Sequence, residues 1–277
     1  MFKKLTEITN IMKYTHIILA LLAVAIIWFF SMTPSNNREW SPDQATLPYA
    51  QIEGNLIHVY NIRNITYRST TDYTIHYYNK TYDLNKLDSV WYVMEPFSLW
   101  QPAAHGLVSF GFGNEYLAIS AEIRKEKGET FSPIRGLLRQ YELMYVIGDE
   151  QDLIKLRSNY RNHTVYLYPI NSPSERTRQM LISMLNRTNK LKEHPEFYNT
   201  LTNSCTSNIA KHVNEVIPGR VPFSWKTLLP AYSDEYAYDL GLISNELPFK
   251  ETREKYKINE KALKYADDPE FSTKIRE

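Results

Sequence analysis

From His16 to Met32 the chain is apolar almost without interruption, and no second run of that length occurs. Seventeen residues at 1.5 Å per residue reach roughly 25 Å, enough to cross a bilayer core, so the pattern predicts one membrane-spanning helix. Lys3, Lys4 and Lys13 precede it against the single Glu7. The positive-inside rule then places residues 1–15 in the cytoplasm and everything beyond Met32 outside a cytoplasmic (inner) membrane. The exit from the apolar run holds no small-x-small cleavage site and no cysteine that could take a lipid, which favours an uncleaved anchor over a signal peptide. Residues 33–50 are polar, with prolines and the adjacent Asn36 and Asn37, and read as a linker.

The pattern changes to short alternation between Ile52 and Met94, where Tyr, Ile, Val and Thr are frequent. Thr66–Thr70, Tyr73–Tyr78 and Ser89–Val93 are strand candidates, followed by Leu107–Phe112 and Tyr116–Ile123. Beyond that point, helical spacing takes over. Ile134–Tyr141 suggests a short helix, Asp149–Asp152 an acidic start for a helix over Leu153–Tyr160, and Thr164–Pro169 a last strand. Met180, Leu181, Met184, Leu185 and Leu191 fall on one face of a helix over Ser174–Glu193, and another helix is expected from about Thr206 to Val216. The stretch 248–277 is charged, lacks an apolar stripe and reads as a loose surface tail. The organisation is therefore an α+β domain over 51–247, strands first and helices second, behind an N-terminal anchor.

Composition narrows the function by exclusion. Lysine plus arginine number 32 and aspartate plus glutamate 31, so the chain is nearly neutral and no basic stretch suggests nucleic acid. The scattered histidines and lone cysteine offer no Cys-x-x-Cys or His-x-x-x-His spacing, so neither a metal nor another cofactor is expected. Sequons at Asn64, Asn79, Asn162 and Asn186 carry little weight in an asparagine-rich chain.

The lone cysteine, Cys205, is the sharpest chemical feature. An unpaired thiol in an exported domain is a liability unless it is buried or used. Asn203 or Ser204 can cap a following helix whose apolar face is Ile209, Val213 and Val216, and a helix N-terminus favours a thiolate. The alternative is a small buried hydrophobe. Among the histidines, His16 lies in the membrane segment, His58, His76, His163 and His194 have no distinguishing context, and His212 is too far along the cysteine's own helix. His105 stands between small residues at the start of a strand, where room is left for something to approach its ring. Gly113-Asn114 is a two-residue hairpin signal. If it closes the hairpin, Phe112 faces Glu115, Phe110 faces Leu117, and His105 comes opposite Glu122. A carboxylate there would orient the ring; a single bulge would turn it away.

Several separated motifs carry a resemblance. They are Asn61–Arg68, His105–Phe112, Ala118–Glu129, Arg139–Leu143 and Phe197–Ile209, in that order. Together they resemble the Lnb N-terminal periplasmic domain family, over roughly Asn61 to Ile243. The resemblance implies a fold similar to the circularly permuted papain-like amidases and acyltransferases, an antiparallel sheet packed on helices, in which the histidine precedes the cysteine and the cysteine opens a helix. It implies Cys205 as nucleophile, His105 as base and Glu122 as orienting group, with an oxyanion hole including the Cys205 N–H. Arg124, Gln140, Tyr141 and Asn203 are the substrate-binding or oxyanion candidates from the shared motifs. The founding members are lipoprotein intramolecular transacylases joined to a multi-pass membrane region, which this chain does not show. A lipid or lipoprotein substrate, with or without a membrane-protein partner, is the expectation. A cell-envelope amidase or peptidase of the same fold, and a non-catalytic binding domain, are the alternatives.

Overall fold

The computed structural model describes residues 2–97 and 103–277. They divide into a unit ending at Ser35 and a second unit, Asn36–Glu277. The first is a single helix, α1 (Phe2–Ser31), of which Met12–Ser31 is long and apolar enough to cross a membrane.

In the second unit the elements run β1 (Tyr49–Glu53), β2 (Leu56–Arg63), β3 (Thr66–Tyr67), β4 (Tyr73–Thr74), β5 (Tyr77–Asp83), β6 (Ser89–Pro96), β7 (Ala104–Phe112), β8 (Glu115–Arg124), α2 (Pro133–Leu137), β9 (Glu142–Gly148), α3 (Glu150–Lys155), β10 (Tyr166–Pro169), α4 (Ser174–Glu193) and α5 (Cys205–Val216). Short helices follow: α6 (Trp225–Leu228), α7 (Ser233–Asp239), α8 (Phe249–Lys255), α9 (Asn259–Lys264) and α10 (Phe271–Lys274). One sheet orders its strands β1-β2-β9-β8-β7-β6-β10, with β5 also on β2; β3 and β4 pair separately. The expected antiparallel sheet is mixed, because β2 and β9 run parallel where Arg63 faces Gly148. Glycine permits that join: a Cβ on Gly148 would come within 2.9 Å of the Arg63 carbonyl oxygen.

The sheet is covered on both faces, and β9 shows why its strand escaped the alternation test. All seven of its residues are buried. Leu143, Tyr145 and Ile147 pack with Leu181, Met184 and Leu185 of α4, while Met144 and Val146 pack with Leu153, Ile154, Phe271 and Ile275 on the opposite face. A strand covered on both faces needs no polar position, so period 2 disappears.

Two expected boundaries move. The stretch 248–277 is not a loose tail: Ile258, Ala262, Phe271 and Ile275 are buried in the second core, and Arg276 pairs with buried Glu150 at 2.6 Å. Each of its helices is too short to show a stripe; α9 and α10 are each held by one or two apolar residues, and α8 buries only Thr252. Within the expected linker, residues 36–50 belong to the folded unit. Asn36 donates to the Leu191 and Lys192 carbonyls at 3.0 and 2.9 Å. Pro42–Gln44 form a turn, and Tyr49 begins β1.

Candidate active site

The β7–β8 hairpin positions the first two candidate groups. Phe112 pairs with Glu115, Phe110 with Leu117 and Val108 with Ile119, around a turn in which Gly113 takes φ 70°. A glycine is the residue for that left-handed position. The ladder carries His105 toward Glu122, whose Oε1 lies 3.7 Å from His105 Nε2. Ser120, two residues earlier on the same face of β8, stands between them. Its hydroxyl donates to Glu122 Oε1 at 2.8 Å and so accepts the Nε2–H of His105 at 2.7 Å. That bond fixes the neutral ring with its lone pair on Nδ1.

On the other edge of β7, Glu95 of β6 is the register partner of His105. Arg157 joins the two carboxylates: Nε pairs with Glu95 Oε2 at 2.7 Å and Nη2 donates to Glu122 Oε1 at 2.8 Å. It sits on a single π turn, Leu156–Tyr160, that continues α3. Glu95, 1% exposed, also accepts the Nδ1–H of His163 at 2.7 Å. Buried charges on this scale persist only when paired; the Arg157–Glu95 contact at Nε and Oε2 is an ion pair without hydrogen-bond geometry, while Arg157 Nη2 and Glu95 Oε1 are hydrogen-bonded to Glu122 and His163.

Cys205 is the first residue of α5. Ser204 caps the helix by a reciprocal pair: its hydroxyl accepts from the Ser207 N–H, and the Ser207 hydroxyl accepts from the Ser204 N–H. The thiol is turned toward β7, where the backbone N–H of Gly106, the neighbour of His105, favours its charged form. Cys205, His105, Glu122 and Arg157 all line one cleft of about 300 Å³, which Phe97, Phe131 and Tyr198 close on the apolar side.

The electrostatics favour an uncharged resting pair. Burial pushes the Cys205 thiol up; the N–H groups of Gly106, Thr206 and Cys205 itself pull it down without winning, so the helix N-terminus acts in the expected direction but is outweighed. His105 is pushed down to about 4, first by burial and then by the Arg157 charge, against the opposing pull of Glu122 and Glu95. For Glu122, burial works to raise the carboxyl, but Arg157, then His105 and Arg63, and the Ser120 hydroxyl hold it well below the usual range.

His105 is joined in this respect by His212, also lowered by burial. Both are neutral in the folded chain at pH values where an unfolded histidine, titrating near 6.5, takes a proton. The unfolded state therefore binds more protons as pH drops from about 6.5 toward 4, and stability should fall through that window. Thermal melts from pH 7 to 4.5 should show a declining Tm, with a shallower decline in His105→Gln; a Tm independent of pH would refute the burial of both neutral rings.

The remaining candidates lie elsewhere. Arg124 donates to the Gln44 and Ala45 carbonyls at 3.0 and 2.6 Å and lies 4.1 Å over the Trp40 ring. Gln140 accepts from Arg135 at 2.8 Å. Tyr141 is fully buried and donates to the Thr130 carbonyl at 2.6 Å. Asn203 donates to Phe197 O at 2.9 Å and accepts from Asn208 at 3.0 Å, bracing the loop before Cys205. None of the four lines the cleft. Ser120, Glu95, Arg157 and His163 do surround the imidazole and were not singled out by sequence. Of these only Ser120 was readable there, being two residues before Glu122 and so on its face of the strand.

Fold and cleft together define a single-pass membrane protein whose α+β domain gathers a thiol, an imidazole and a braced carboxylate. The chain belongs to the Lnb N-terminal periplasmic domain family, whose model matches residues 73–231 and so spans the thiol, the imidazole and the carboxylate with its Arg157 partner; the domain is extracytoplasmic. Neither a curated protein nor a solved structure matches the chain.

Proposed function

We propose that the domain is a cysteine-dependent acyltransferase or acyl hydrolase. The observation that carries this reading is the meeting, in one cleft, of a helix-opening thiol with a histidine whose tautomer is set by a serine–carboxylate pair. The order of the groups along the chain, histidine before cysteine, also agrees with a permuted papain-like arrangement.

In this scheme His105 Nδ1 takes the thiol proton as the Cys205 sulfur forms a bond to an ester or amide carbonyl carbon, and the carbonyl π pair moves onto oxygen. The backbone N–H groups of Cys205, Thr206 and Gly106 surround the sulfur and supply donors where negative charge develops. Collapse breaks the bond to the leaving alcohol or amine, which takes its proton from His105. An amine or water then gives a proton back to His105 and attacks the thioester; the C–S bond breaks and the thiol recovers its proton. Glu122 stays ionised and stabilises the transient imidazolium. Amine capture makes the enzyme a transferase and water a hydrolase. Lys3, Lys4 and Lys13, which precede the apolar run, support an inner-membrane protein with its N-terminus inside, and the anchor supports a substrate drawn from membrane lipid or lipoprotein acyl groups.

The test is intact-protein mass spectrometry on the full chain in nanodiscs, incubated with p-nitrophenyl decanoate. A decanoyl adduct on Cys205 that forms in step with nitrophenol release, and is discharged faster when a primary amine is added, supports a transferase. Adduct formation indifferent to His105→Ala would reduce Cys205 to an ordinary thiol and overturn the proposal.

A further inference from the structure

The rim of the cleft carries an apolar patch that is exposed among the described residues. Ile134, Leu137 and Leu138 on and beside α2, Phe131 just before it, and Leu201 are each between 37% and 68% exposed. They lie together, because Gly136 of α2 is packed against Tyr198 and Thr200, and Thr200 donates to the Pro133 carbonyl at 2.7 Å. The patch continues into the cleft: Phe131 and Tyr198 line it, and Phe131 meets Phe97 edge to face at 5.9 Å. Monomers seldom expose this much contiguous apolar surface without a use.

The surroundings indicate what kind of surface would cover it. Lys125, Lys127, Arg135 and Arg139 outnumber Glu126 and Glu129, and both acids are engaged, Glu126 by Arg38 and Glu129 by Arg135. An apolar centre edged with excess positive charge matches an anionic bilayer surface. The chain supplies the second reason. Its own apolar helix ends at Ser31 and the folded unit begins at Asn36, so only four residues, spanning about 14 Å at full extension, intervene.

We infer that the α2 rim, from Phe131 to Leu138 with Leu201, is a membrane-docking surface that seats in the headgroup region of anionic lipid and opens the cleft toward it. The inference adds a substrate-delivery surface to the proposed chemistry but does not depend on turnover.

The test uses the full chain in nanodiscs containing phosphatidylglycerol and brominated acyl chains. In a Cys205→Ser background, an NBD fluorophore is attached at Ile134→Cys or at Asp267→Cys, where the side chain is 99% exposed and remote in sequence. Quenching several-fold stronger at 134 than at 267, and weakened in pure phosphatidylcholine, is the expected result. A third label at Leu201→Cys should lose its quenching when Ile134→Asp and Leu138→Asp are added, with circular dichroism unchanged. Equal quenching at 134 and 267 would overturn the proposal. So would a label at 134 that is shielded from aqueous quenchers without being quenched by lipid, the sign of a protein partner. Because depth rather than turnover is measured, either outcome leaves the assignment of Cys205 to be decided separately.

Discussion

Cys205→Ala is expected to lower turnover of an activated acyl ester by roughly 10⁴-fold or more, since a covalent route without its nucleophile retains only binding and oxyanion stabilisation. His105→Ala is expected to cost roughly 10²–10⁴-fold, the range of a lost general base. The two losses should not add, because each variant disables the same proton transfer. Steady-state rates for both singles and the double variant, beside their melting temperatures, check this. The thiol is only 3% exposed, yet its neighbours are backbone N–H groups that a serine hydroxyl could also engage. Cys205→Ser should therefore cost less than about 1 kcal/mol of stability, below the penalty for an unpartnered buried hydroxyl. Additive losses, or activity that survives Cys205→Ala, would rule out the scheme.

The second large effect falls on Arg157, which sequence reading passed over. Arg157→Met removes the cation that binds two buried carboxylates, Glu95 and Glu122. Breaking a buried pair by removing one partner costs about 3–5 kcal/mol, and here two anions are left facing each other. The functional sign is also fixed. Arg157 depresses His105, while Glu122 and Glu95 raise it. Without Arg157 the imidazole holds its proton to higher pH, so the acid limb of the rate profile should move upward from near 4. Chemical denaturation and a kcat/KM profile from pH 4 to 8 are the measurements. Adding Glu122→Gln should recover part of the stability, since it removes one of the stranded charges. An unmoved acid limb would show that Arg157 is a structural clasp without influence on the base.

The parts of this site that could be read in sequence are those set by local rules. The Gly113-Asn114 turn fixed the hairpin register, and from it the approach of Glu122 to His105 followed without any knowledge of the fold. The helix cap, narrowed in sequence to Asn203 or Ser204, and the apolar spacing of α4 were legible for the same reason: each is decided within a few residues. Glu95 was not. It faces His105 across β6 and β7, but seven residues separate those strands in sequence and offer no two-residue turn signal, so nothing local sets their register. Arg157 reaches the site from a π turn, which breaks the helical periodicity that would have shown its direction. Arg124 was misread in the opposite sense. It shares a strand face with Glu122, but the next partners along that face are carbonyls of residues 44 and 45, and only the folded chain brings those within reach.

That contact with Arg124 bears on where the domain can be cut. A soluble version begun at the first strand would discard the carbonyls of Gln44 and Ala45 and the Asn36 side chain that together receive the guanidinium. It would also lose Gln44, whose amide grips the backbone on both sides of Arg124, at Ile123 O and Lys125 N. The backbone so bared would be Ile123 to Lys125, at the end of the strand that carries Ser120 and Glu122. Ten residues that resemble a dispensable tether are thus a splint for the hairpin that carries His105 and Glu122, and a pull on Asn36 would be borne by this splint before it reached the cleft.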